Sequence, residues 1–181
     1  CQVVPIPLPS TQQAEKVLAD EGVADAGRWL ALAGGSPGLA MEFAASGQLV
    51  WLETLIKRLA AGKNADALGL AGEIEKAVKD SKGNLVLKTV VDTLQKWLVD
   101  LTLAKNGLPV RYFLPQAATI AGLADMIPAT RLIRSYRDLI SLGQEQVSFL
   151  SSRRCRHFLA AIAPRLLQAL STTPAPDATL A

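Results

Sequence analysis

The side chains able to do acid–base or nucleophilic chemistry in this 181-residue chain are few and scattered. His157 is the single histidine, set among arginines; a Ser-His-Asp relay needs all three groups to converge, and no serine is expected in a Gly-x-Ser-x-Gly elbow. One histidine and two distant cysteines, Cys1 and Cys155, supply no recurring metal-ligand spacing. Glu73 and Glu75 are two apart, so on a helix they point in different directions and cannot share a proton as a paired acid and base. No Gly-x-x-x-x-Gly-Lys-Ser/Thr loop is present to cradle phosphates. The sequence thus predicts no catalytic residue, no metal and no bound cofactor. One stretch invites a ligand. Gly34, Gly35, Ser36, Pro37 and Gly38 form a turn ahead of a small-residue helix, and a helix N-terminus can hold phosphate through its free N–H groups.

Charge offers a second kind of chemistry. The net charge of +3 is too small to mark a nucleic-acid binder, but its distribution is uneven. Arg131, Arg134, Arg137, Arg153, Arg154, Arg156 and Arg165 face only Asp138 and Glu145 in their stretch, a local balance of +5. The first six are the candidate interaction residues. They read either as a solvated basic face or as a groove for nucleic acid, although few aromatics are interleaved for base stacking. Two cysteines do not make a disulfide framework and suit a reducing cytosol. Cys155 falls on one apolar stripe with Phe158, Leu159 and Ile162 and reads as a core thiol. Cys1 leaves an alternative open, because a mature lipoprotein also begins with cysteine. No run reaches the roughly 18 apolar residues of a membrane span, and no secretory signal is evident.

The elements that must position these groups are helices. Half of the residues are hydrophobic and only 5% aromatic, with Ala and Leu dominant and few alternating Val, Ile or Thr runs, which predicts an all-α fold. Prolines at 5, 7 and 9 impose an extended lead-in. Ser10 with Gln13 forms a capping box for a helix to about Glu21, ended by Gly22. A second helix spans about 24–33 with Trp29, Leu30 and Leu32, and a third spans 38–45 and closes at Gly47. Longer helices follow. Residues 48–61 put Leu49, Leu52, Leu55, Ile56 and Leu59 on one face, and 66–80 form a helix weakened by Gly69 and Gly72. Asn84 is placed to cap a helix to about Lys105, with Leu87, Val91, Leu94, Leu98 and Leu101 inward, Trp97 beside them, and Lys88, Asp92 and Lys96 on the exposed side. After the 106–109 loop, Leu114-Pro115 opens a helix to about Met126. Pro128 starts another with Leu132, Ile133, Tyr136, Leu139 and Ile140 inward. A last helix over about 152–170 is kinked by Pro164.

The Gly34–Ala40 turn resembles the Gly-Ser-x-Arg-x-Ala-Leu sensor turn of clamp-loader ATPases, with Gly38 where that family has its phosphate-sensing arginine. This silent version is similar to the delta-prime subunit of the bacterial DNA polymerase III clamp loader. Cys1-Gln2 and the proline-rich segment after it resemble the exit from the family's Ser-Arg-Cys segment. Gly107-Leu108-Pro109-Val110-Arg111-Tyr112-Phe113 resembles a loop between its collar helices, and residues 129–146 resemble the helix after that loop. Ser152 to Leu159 departs from the family's Asn-x-x-Leu-Phe-Leu-Glu run. The resemblance implies a small three-helix lid over 1–47 and a larger helical collar bundle over 48–171, while the tail over 172–181, with two prolines and no bulky residue except Leu180, is expected to be disordered. It implies a piece of a cytoplasmic protein, beginning after the position of the family's arginine finger and lacking its nucleotide-binding domain. The expected partners are other clamp-loader subunits, with DNA met only through the complex and no membrane. No ATP hydrolysis is expected of the chain itself, although the parent holoenzyme is a DNA-directed DNA polymerase. The alternatives are a helical envelope domain lipid-anchored at Cys1, and a basic nucleic-acid-binding bundle.

Overall fold

Ser10 starts the first helix by exchanging bonds with Gln13. Gln13 N–H donates to Ser10 Oγ at 3.3 Å and Ser10 N–H donates to Gln13 Oε1 at 3.0 Å, so two otherwise orphaned donors are satisfied at once. The computed structural model describes residues 9–45, 49–61, 67–80 and 87–146. Within them run α1 (Thr11–Asp20), α2 (Ala26–Leu32), α3 (Pro37–Ala45), α4 (Leu49–Ala60), α5 (Ala67–Asp80), α6 (Leu87–Lys105), a 3₁₀ turn (Leu114–Gln116), α7 (Ala117–Met126) and α8 (Ala129–Gln146). The fold is all-α, with no strand among the described residues. Cys1, Gly47, Asn84, His157, Pro164, the helix expected over 152–170 and the tail over 172–181 lie outside them.

Three helices end the same way. After α2 the Gly34 N–H bonds to Ala31 O at 3.0 Å and the Gly35 N–H to Leu30 O at 2.9 Å, the double closure of a Schellman motif. Gly34 and Gly35 have φ of +68° and +92°, a region that L side chains rarely adopt, which is why glycine sits there. Gly22 with Val23 closes α1, and Gly107 with Leu108 closes α6, through the same pair of bonds.

α1, α2 and α3 pack on one another, α4 on α5 and α7, and α6 on α7 and α8. One hydrophobic core runs through all eight helices, from Ala14 and Leu18 of α1 to Leu132 and Leu139 of α8. On α6, Val90, Val91, Thr93, Leu94, Trp97, Leu98, Asp100 and Leu101 are buried, which at 3.6 residues per turn covers about half of the helix circumference. The inward residues expected of α4 are confirmed at Leu52, Leu55, Ile56 and Leu59. Trp97 is in the core, edge-on to Phe113 at 5.1 Å between ring centroids.

Two expected placements are corrected. On α8 the inward stripe is Leu132, Ser135 and Leu139, while Ile133 is 50% and Tyr136 36% exposed. Successive residues turn by about 100°, so the contact with α6 selects the 132/135/139 line and leaves 133 and 136 to its side. Lys96 is not on an exposed face with Lys88 and Asp92. It is half-buried, with its ammonium turned toward α2.

Candidate functional site

The glycine turn joins α2 to α3. Ser36 is the N-cap of α3: its Oγ accepts the Leu39 N–H at 3.4 Å and its carbonyl accepts the Ala40 N–H at 3.0 Å. Pro37, the first helical residue, has no N–H to offer. Gly38 follows, and a Cβ built there would meet nothing within 4 Å. Two of the four N–H positions at this helix start are therefore missing or filled, those of Pro37 and Leu39. The turn keeps the N–H groups of Ser36 and Gly38, and position 38 has no side chain to reach an anion.

The expectation that no serine sits in a Gly-x-Ser-x-Gly sequence is corrected: Gly34, Ser36 and Gly38 carry those letters of a nucleophile elbow. An elbow needs a strand running into a helix. Here a helix runs in, and the Ser36 hydroxyl caps α3. The geometry does not present a nucleophile.

Beside this turn lies a cluster the sequence does not advertise. The Lys96 ammonium donates to Leu32 O at 2.7 Å, with the rings of Phe43 and Tyr112 at 5.5 Å and 5.7 Å. One helical turn further along α6, the fully buried Asp100 carboxylate takes three successive backbone donors. Oδ1 accepts Arg111 N–H at 2.8 Å, while Oδ2 accepts Tyr112 N–H at 3.0 Å and Phe113 N–H at 2.8 Å. The guanidinium of Arg111 lies 5.5 Å from the Tyr112 ring centroid. Burial pushes the Lys96 ammonium below its ordinary value of 10.5, with Asp92 pulling the other way and Lys88 adding to the fall. Lys88 moves upward, because Asp92 accepts its hydrogen bond at 2.9 Å and adds its negative charge.

The remaining candidates do not converge. Arg134 and Arg137 are exposed on α8 with no ion pair among the described residues, and Arg131 is half-buried there. Arg153, Arg154 and Arg156, with Cys155 and His157, lie outside the described residues. Glu73 pairs with Arg58 and Glu75 with Lys79, so the two carboxylates serve different cations. A notch between Arg28 and Leu32 of α2, Leu52 and Ile56 of α4 and the Tyr112 loop holds about 10 Å³, room for one water. Among the described residues no group of His, Cys, Asp and Glu could hold a metal, and no helix is long and apolar enough to cross a membrane.

Comparison of the chain with protein-family profiles, with curated protein sequences and with solved structures returned no match.

Proposed function

We propose that the chain is an interaction subunit of a bacterial DNA polymerase III type clamp loader, with α1–α3 as its lid and the helices from α4 onward as its collar. The observation that carries this reading is the Gly34–Gly38 turn. It resembles a phosphate-sensing turn, yet its sensing position is glycine, Pro37 removes one N–H and the Ser36 hydroxyl takes that of Leu39. Such a subunit transmits force through packed helices while neighbouring subunits hydrolyse ATP. Binding needs only a standard interface of about 800 Å² on each partner.

The test is assembly. Mixed with the ATPase subunits of a DNA polymerase III clamp loader at micromolar concentration, the chain should co-elute with them on gel filtration. Separate elution removes the proposal. Calorimetry of the isolated chain should detect no heat of ATP binding, and micromolar affinity contradicts the silent turn.

A second reading has one observation behind it: Arg134 and Arg137, three apart on α8, are both exposed and present a basic pair to nucleic-acid phosphates. Its signature is DNA affinity that falls steeply with salt. Salt-independent or undetectable binding removes it.

A further inference from the structure

Lys96 and Asp100 stand one turn apart on α6, and both reach outside their own helix toward the same place. The Schellman bonds that close α2 take the carbonyls of Leu30 and Ala31. Leu32 O remains an open acceptor at that end, where the helix dipole is negative, and Lys96 fills it at 2.7 Å. The same ammonium lies near Phe43 of α3 and near Tyr112. Asp100 holds the backbone of Tyr112 from behind, and a Cβ built on Gly34 would lie 3.9 Å from the Tyr112 ring. One point thus gathers the end of α2, the body of α3, the 111–113 loop and α6.

We propose that Lys96 and Asp100 form a clasp that ties α1–α3 to α6 and fixes the orientation of the Gly34–Gly38 turn. Asp100 is its fixed jaw, holding the Tyr112 loop. Lys96 is the moving jaw, whose release frees the first three helices as a unit while α6–α8 stay folded. An ion pair also leaves this unit, Arg28 to Glu53, but at 3.5 Å it is long and its carboxylate half-exposed, a geometry that contributes little. The inference concerns the fold's own coupling and stands whether or not the chain assembles into a clamp loader.

The experiment is hydrogen exchange read by mass spectrometry on the full chain. The variants are Lys96→Met, which keeps the stem and removes the cation, and Lys96→Arg, which restores one. In K96M, exchange at Gly34, Gly35, Leu39 and Ala40 should accelerate by at least about tenfold, the loss of one charge-assisted hydrogen bond, with α6–α8 unchanged. K96R should return most of the protection. Unchanged protection in K96M, uniform acceleration reaching α6–α8, or K96R behaving like K96M each overturns the clasp. Lys96→Gln serves as a second test of the same kind. If both K96M and K96Q lose their helical circular dichroism, Lys96 supports the whole core and the proposal fails.

Discussion

Replacing Asp100 by alanine isolates a heavily committed polar contact among the described residues. Its carboxylate is fully buried and is the acceptor for the N–H groups of Arg111, Tyr112 and Phe113. The three losses are unequal. Arg111 is exposed, so its N–H can turn to water at little cost, and Tyr112 is half-buried. Phe113 is 3% exposed, so its N–H is stranded, at about 1–3 kcal/mol, and the charge-assisted bond to Tyr112 is worth about 1.5–3 kcal/mol more. Removing a buried charge returns part of this through recovered solvation. The net for D100A is a loss of about 2–4 kcal/mol, or roughly 5–15 °C in Tm for a chain of this size. Asp100→Asn keeps one acceptor oxygen, which can stay on Tyr112 and Phe113 while the exposed Arg111 N–H rehydrates, so D100N should cost less than D100A. The assay is urea unfolding followed by far-UV circular dichroism, with equal m-values checking that all variants unfold the same way. A D100A loss below about 0.5 kcal/mol, or D100N costing as much as D100A, refutes the reasoning.

Three further outcomes are expected. In an NMR titration of ε-labelled lysines, Lys96 should lose its proton below 10.5 and Lys88 above it. The signs follow: Lys96 binds its proton less tightly folded than unfolded, so its contribution to stability rises as pH climbs from the lowered value through 10.5. The Lys88 contribution is full below 10.5 and is lost as pH rises through its higher folded value; equal titration of the two breaks this account. Gly34→Ala should cost about 1 kcal/mol for placing alanine at φ +68°, without a steric clash, since its Cβ lies 3.9 Å from Tyr112; a thermal scan showing no loss contradicts the strained C-cap. Leu101→Ala on α6, fully buried, should lose about 2–5 kcal/mol in urea unfolding, and a loss under 1 would mean that the bundle collapses around it.

Much of the fold was legible because its signals are local. Ser10 with Gln13 reads directly as a helix start, Gly22, Gly34 and Gly107 as helix ends, and the leucines of α4 as one face. Side-chain destinations were less legible wherever a distant segment decides them. Lys88, Asp92 and Lys96 share a four-residue spacing that suggests one solvated face, yet Lys96 ends on a carbonyl 64 residues away. Asp100 could have been suspected, since it sits within the buried arc between Trp97 and Leu101, but its donors are brought in by the loop after Gly107. On α8 the bulk of Ile133 and Tyr136 suggested the inward face, whereas packing against α6 placed Ser135 there. The glycine turn was visible as letters. That the Ser36 hydroxyl caps the Leu39 N–H depends on how the turn folds.

The half-buried circumference of α6 sets how freely this sequence can drift. Its apolar positions, such as Val90, Leu94 and Leu98, touch neighbours on more than one side, so they should accept only exchanges of similar volume. Saturation mutagenesis scored for folded yield should therefore show α6 as the least permissive helix. Within it Lys96 and Asp100 should stand out as polar positions where hydrophobic replacements are depleted, while outward positions on α8, such as Ile133, tolerate nearly any residue.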